Sequence, residues 1–193
     1  MKKLLLSLAT CVTLAISTNT LANDHTVTVG YAQSTLPVMN LGNVALHGVN
    51  LKYRYEGDSS VSLITSLAYM GNDVSYNGVN DFGQKVDAED KFRNYSLAAG
   101  PAYRFNEFVS IYGLAGVNVF DVKTTQKPNK GNDNSDNKSA HFRTTSFMYG
   151  AGIQINPIKN LALDIGYEGT QKNLGNNSTL KMNGFNVGVG YRF

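Results

Sequence analysis

Eight consecutive residues constrain this chain more than anything else in it: Val49-Asn50-Leu51-Lys52-Tyr53-Arg54-Tyr55-Glu56. Apolar and polar side chains alternate strictly. A helix would scatter the charges around its circumference, whereas a strand puts Val49, Leu51, Tyr53 and Tyr55 on one face and Asn50, Lys52, Arg54 and Glu56 on the other.

The same period of two recurs over residues 26–33, 61–70, 94–105, 109–119, 145–155, 161–170 and 183–193. It is least clean over 109–119, where Tyr112 and Leu114 share a face with Ser110 and Asn118. Eight such segments of about ten residues match the length that crosses a bilayer as a tilted strand. The connections alternate. Residues 57–60, 106–108 and 156–160 are short turns, and 34–47, 71–91, 123–143 and 171–180 read as four long loops. Short turns on one rim and long loops on the other are the plan of an outer-membrane barrel, with both termini on the periplasmic rim.

A soluble barrel shows the same alternation but buries its bulky apolar set. Here the bulky set is Val, Leu, Ile, Tyr and Phe, and the opposite set is Gly, Ala, Ser, Asn and charged residues. A lumen eight strands wide is just large enough for side chains, so the small and charged set fits inside and the bulky set faces lipid. Tyr31, Tyr53, Tyr55, Tyr69, Tyr103, Phe105, Tyr167, Tyr191 and Phe193 sit near segment ends, as girdle aromatics do. Composition agrees: the 193 residues hold 19 Gly and 11 Tyr with only 16% charged, against about 25% in a soluble domain.

The first residues stand apart from this pattern. Lys2 and Lys3 precede an apolar run over 4–16, and Thr20-Leu21-Ala22 ends it with small residues. Residues 1–22 therefore read as a secretory signal peptide, cleaved after about Ala22. Its removal takes away Cys11, the only cysteine, and lowers the net charge from +3 to +1. Residues 23–193 are then an all-β, eight-stranded antiparallel up-and-down transmembrane barrel in the outer membrane of a Gram-negative cell. Neither a disulfide framework nor nucleic-acid binding is compatible with that composition, and no cofactor or metal is expected.

Several strings resemble one family. They are Val29-Gly30-Tyr31-Ala32-Gln33-Ser34, the 50–56 strand, Ala99-Gly100-Pro101 leading to Tyr103-Arg104-Phe105-Asn106-Glu107, Tyr149-Gly150-Ala151-Gly152-Ile153-Gln154, and the terminal Gly188-Val189-Gly190-Tyr191-Arg192-Phe193. Together these resemble the Ail/Lom (OmpX-like) family of small outer-membrane proteins, over almost the whole mature chain. The resemblance implies an eight-stranded, non-enzymatic barrel. It also implies a role in attachment to host cells and matrix, invasion, or resistance to complement, all virulence functions.

The expected inward set includes Lys52, Arg54, Glu56, Arg104, Asp164, Glu168 and Arg192. Nearly neutral in sum, it can satisfy itself as a plug in a narrow lumen. The terminal Asn186, Gly188, Tyr191 and Phe193 resemble the signal read by the barrel-assembly machinery. As physics, they form an amphipathic strand whose edge can pair before closure.

Function is then expected on the loops. Loop 71–91 carries Asp73, Asp81, Asp87, Glu89 and Asp90 against Lys85 and Lys91, a net −3. Loop 123–143 carries Lys123, Lys127, Lys130, Lys138 and Arg143 against Asp133 and Asp136, a net +3, and Lys172 and Lys181 add to the fourth. These cations are the candidate ligand residues, for sulfated glycans, lipopolysaccharide phosphates, host matrix proteins or complement regulators. Leu36, Val38, Met39, Leu41, Val44 and Leu46 in loop 34–47 form an apolar contact patch unless they pack on their neighbours. The opposing reading is a structural envelope barrel with no host ligand. Catalysis would need a framed nucleophile. His47 and His141 lie at loop bases, His25 at the frayed start, and Ser139 and Asp121 near His141, without a serine motif, so no enzyme is expected.

Overall fold

The computed structural model describes residues 24–38, 42–79, 85–128, 138–175 and 178–193. Residues 1–22, where the sequence suggests a signal peptide, lie outside them, as do Met39, Leu41, Asp81, Lys130, Asp133 and Asp136. Eight strands follow in order: β1 (Asp24–Val38), β2 (Gly42–Glu56), β3 (Val61–Val79), β4 (Lys85–Arg104), β5 (Val109–Pro128), β6 (Lys138–Ile158), β7 (Leu161–Gly175) and β8 (Ser178–Arg192). Each pairs antiparallel with its neighbour, and β1 pairs with β8 to close the barrel.

The closing seam runs from Thr26↔Arg192 to Thr35↔Asn183. It ends in two backbone bonds: His25 N donates to Phe193 O at 2.8 Å, and Phe193 N donates to His25 O at 2.9 Å. The His25 ring stacks on Phe193 at 5.7 Å between centroids and lies 5.4 Å from Tyr55. The terminal residue is thus fastened by backbone and ring together.

Alternation sorts the side chains as the sequence pattern requires. The buried ones, from Thr26 in β1 to Asn186 in β8, all carry even numbers. Outward stand Leu63, Leu97, Ile153, Ile165 and Val189, with tyrosines near the ends of the apolar band. Tyr69 and Tyr95 pair at 5.1 Å across β3 and β4, and Tyr103 meets Phe105 edge-on at 5.1 Å at the short-turn end. An apolar outer wall around a polar interior is a barrel made for lipid.

Two expectations need correction. The segments 34–47, 71–91, 123–143 and 171–180 are strand over nearly all their described residues, so the hairpins tower well beyond the ten residues that cross lipid. The signal was weak because, outside the membrane, neither face need be apolar. Lys85-Val86-Asp87-Ala88-Glu89-Asp90-Lys91 is held by its ladder to β3 and β5. The β1–β2 ladder reaches Val38↔Gly42, where Gly42 takes a φ of +72° that would strain a side chain. At the other rim, β6 continues through a register shift between Ile155 and Ile158, so the expected 156–160 turn shortens to 159–160. The 105–108 turn is an Asx-type turn: Asn106 Oδ1 accepts from the backbone N–H of Phe108 (2.9 Å) and Val109 (2.8 Å).

The second correction concerns the apolar residues of the first hairpin. Leu36, Val44 and Leu46 are no exposed patch. They are buried with Ala32, Met70, Phe92, Phe120 and Met182 in one cluster inside the barrel mouth, with Val74 and Val122 packed against it. Even-numbered positions point inward here as they do lower down, so these leucines cap the lumen. The side chains of Val38, Met39 and Leu41 lie outside the described residues.

Candidate functional site

Two charged regions could carry function, the lumen and the face of the tall hairpins. In the lumen, Lys52, Arg54, Glu56, Asp164 and Glu168 are buried, and Arg104 and Arg192 are half-buried. Near the short-turn rim Glu56 gathers three guanidinium groups. Arg104 pairs with it directly, Arg54 Nε lies 3.5 Å away and Arg192 Nη2 3.4 Å away. Arg192 also pairs with Asp24. Arg54 reaches Ser62 Oγ and Gln154 Oε1, each at 2.8 Å.

Deeper in, Lys52 pairs with Asp164 and donates to Asn186 Oδ1 at 2.5 Å. Its ammonium also sits 5.1 Å from the centroid of the Tyr112 ring, a cation–π contact. The Tyr112 hydroxyl donates to Asp164 at 3.0 Å. Glu168 accepts from Ser66 Oγ (3.4 Å) and Asn186 Nδ2 (3.2 Å).

Sequence reasoning missed Tyr112, whose inward position broke the clean pattern of the fifth strand. Room for its ring comes from two glycines: a Cβ on Gly152 or Gly166 would run into the Tyr112 hydroxyl. A lone aromatic on the small-residue face, with glycines at matching heights on neighbouring strands, was the signal that could have found it. Asn186, expected in the assembly signal, has its side chain in this network. Tyr191 faces out, and Phe193 stacks on Tyr191 at 6.1 Å.

The second region is on the tall hairpins. The β2–β3 ladder stops at His47↔Gly71, and the β6–β7 ladder stops at Phe147↔Gln171. Meanwhile β3–β4 continues to Val79↔Lys85, β4–β5 to Val86↔Pro128, and β5–β6 to Gln126↔Lys138. Above the lipid-crossing band, the barrel therefore projects a four-stranded sheet, β3-β4-β5-β6, with β3 and β6 as its lateral edges. Asn72 Nδ2 bridges the opening to β2 by donating to Ala45 O at 2.7 Å.

That sheet merges the hairpins expected to be separately acidic and basic. The register sets Asp87 opposite Lys127, Lys91 opposite Lys123, and Arg93 opposite Asp121. It also sets Asp121 opposite Arg143 and Lys123 opposite His141. On the outward face Arg93 pairs with Asp73 at 2.5 Å, Lys91 with Glu89 at 3.1 Å, and His141 Nε2 with Asp121 Oδ2 at 2.8 Å. The hydrogen bond from Arg93 holds the Asp73 carboxyl below its ordinary range.

Each of those acids is matched, and among the described residues Lys123 and Arg143 are exposed cations of this face outside any ion pair. Lys127, Lys138 and Lys172 lie in β5, β6 and β7, but their side chains lie outside the described residues, and Lys130 lies outside them altogether. Lys181 is exposed on β8, across from Gln171 and away from this sheet. Ser139 pairs across the ladder with Thr125, and its neighbour His141 engages Asp121. Among the described residues no group of three His, Cys, Asp or Glu is placed to hold a metal.

With this geometry in hand, the relatives are informative. The family model described as Enterobacterial Ail/Lom protein matches residues 1–193. Virulence membrane protein PagC of Salmonella typhimurium is 42% identical over 201 residues, covering 100% of both chains. Outer membrane protein X of Enterobacter cloacae is 41% identical over 196 residues, again covering 100% of both. Among solved structures, Ail of Yersinia pestis, in complex with the heparin analogue sucrose octasulfate, has a TM-score of 0.69 and 30% identity. It covers 90% of this chain and 100% of its own.

Proposed function

The chain belongs to the enterobacterial Ail/Lom family of outer-membrane β-barrels, and on that premise we propose that it acts outward, through the projecting β3–β6 sheet, as an adhesion, invasion or serum-resistance factor that captures sulfated glycans. The observation that carries this reading is the pair of unmatched cations, Lys123 and Arg143, on a face where the described acids Asp73, Glu89 and Asp121 are already engaged. A projecting sheet that presents cations on adjacent strands suits a repeating polyanion, which needs charge and reach rather than a pocket. Lys127, Lys130 and Lys138 continue the same hairpin. Support from a relative is chemical: Ail of Yersinia pestis takes a polysulfated sugar. Matrix proteins and complement regulators are further partners of the same surface. At the opposite rim, Gly188, Tyr191 and Phe193 are read by the barrel-assembly machinery before closure.

The test is retention on immobilised heparin, with desulfated heparin as control. The Lys123→Gln/Arg143→Gln double variant should bind roughly tenfold more weakly, about 1.4 kcal/mol. Wild-type binding should fall steeply with salt, because exposed charges are screened beyond about 8 Å at physiological ionic strength. Unchanged retention of the double variant would refute the role of this face. A wild type that binds neither heparin, matrix nor serum factors would leave a structural envelope barrel.

A further inference from the structure

Between the buried ion pairs and the apolar cap lies a cavity of about 10 Å³ lined by residues of both. Its walls are mixed. Met70, Met148 and Met182 supply apolar sides, while Asn94, Ser96, Asn118 and Glu168 turn polar atoms toward it. Asn94, Ser96 and Asn118 are at least nine-tenths buried, and Asn94 is fully so. Both amide atoms of Asn94, the Ser96 hydroxyl and the Asn118 amide oxygen find no hydrogen-bond partner among the described residues. Glu168 makes no ion pair among the described residues; it accepts hydrogen bonds from Ser66 and Asn186.

Such a concentration of unpartnered polar atoms around one small space is costly. Each orphaned buried group forfeits the hydration it had in water, and native interiors leave few of them. A space of this size holds the centre of one water molecule, and a buried water needs two to four polar partners. We infer that the cavity is a built binding site for a single long-lived water that bridges Glu168 to Asn94, Ser96 and Asn118.

The donor–acceptor inventory selects water over a bare cation. Asn94 Nδ2 and the Ser96 hydroxyl can donate into the site, while Asn118 Oδ1 and the Glu168 carboxylate can only accept. Water satisfies both kinds by accepting two hydrogen bonds and donating two. A sodium ion would face the Asn94 amide hydrogens and repel them. The site also closes a gap in the lumen's electrostatics. Asp164 has Lys52 and Glu56 has three guanidinium groups, whereas Glu168 has only neutral donors, to which the water adds one more. It is thereby the joint between the ion-pair region below and the apolar cap above.

The test uses the folded full-length mature barrel in phospholipid nanodiscs. Side-chain amide NOE spectra should show a water cross-peak on Asn94 Nδ2 with the sign of a molecule held longer than the barrel tumbles. Water-oxygen relaxation dispersion should lose the contribution of one long-lived water in Asn94→Leu, where the added methyls fill the space. Should Asn94→Leu fail to fold by heat-modified gel mobility, Ser96→Ala keeps the cavity and removes one partner, and should shorten the water's residence at least severalfold. Absence of the Asn94 cross-peak in the wild type overturns the inference. So does a dispersion unchanged in a folded variant, or a signal that vanishes when sodium is replaced by choline, which would identify a cation's hydration water instead.

Discussion

The lumen and the outer face of the projecting sheet are built from the same side chains, yet opposite rules govern them. Inside, Lys52 and Asp164 are both about 1% exposed. Outside, Asp73 is 47% exposed in its pair with Arg93. An ion in the lumen has no bulk water to return to, so its bonds must be made by protein or by a water held in place. On the sheet every charge keeps its solvent, pairs contribute little, and an unmatched cation is tolerated. The difference teaches where recognition can reside. With the interior charge engaged, the described cations left outside ion pairs on the sheet face are Lys123 and Arg143, and the proposed recognition rests on them.

The sharpest way to break this contrast is to remove one member of a buried pair. Lys52→Met should destabilise the barrel by about 3–5 kcal/mol, because it strands Asp164 and removes a positive charge near Glu168. Urea unfolding from lipid bilayers checks it, and Lys52→Met/Asp164→Leu should regain much of the loss. A double variant no better than the single would mean that the pair's geometry, not stranded charge, sets the cost.

A smaller effect is expected from crowding the same network. Gly152→Ala places a methyl against the Tyr112 hydroxyl and should cost about 1–3 kcal/mol. Tyr112→Phe in that background should recover part of it by shrinking the ring's tip, measured as a shift in urea midpoint at constant slope. Equal stability of Gly152→Ala and wild type would show that the ring is free to move.

On the sheet the numbers shrink. Asp73→Asn should cost less than about 1 kcal/mol at neutral pH, since its partner Arg93 is met in solvent and the interaction is screened. The sign is set by the lowered carboxyl. Its contribution is full above the ordinary aspartate range, near pH 4, and fades as pH falls through the depressed folded value. Wild type and Asp73→Asn should therefore converge in stability at the acid end; a gap that grows below pH 4 would be the wrong sign. Smallest of all, Lys123→Gln/Arg143→Gln should leave stability within about 0.5 kcal/mol of wild type, as surface substitutions do, while heparin retention falls. A large stability loss would mean these cations are structural, and the contrast between the two regions would collapse.

How much of this could be read from the chain depends on which face of the wall a residue needs. The alternation over 49–56 and the bulk of the outward set were enough for eight strands, a lipid-facing exterior and a charged lumen, because lipid demands an apolar outer face on each strand that crosses it. Lys52, Arg54, Glu56, Arg104, Asp164, Glu168 and Arg192 followed from parity alone. The same rule failed above the membrane. There Lys85 to Lys91 read as loop because strand continuation rests on backbone pairing, which leaves no apolar mark.

Partners were not legible at all. That Glu56 collects three guanidinium groups, that Tyr112 slots over Gly152 and Gly166, and that Leu36 and Leu46 meet Phe92 and Phe120 as a cap depends on cross-barrel proximity between strands far apart in sequence. Period two says which side of the wall a residue faces, and the sequence by itself determined that much, together with the strand count. Strand tilt and stagger set which residues share a height in the lumen. The pairing of β3 with β4 and of β5 with β6 brings Asp73 to Arg93 and Asp121 to His141. Those offsets arise only when the barrel closes, so the matched acids, the unpaired state of Lys123 and Arg143 and the polar cavity beneath the cap were decided by the tertiary structure.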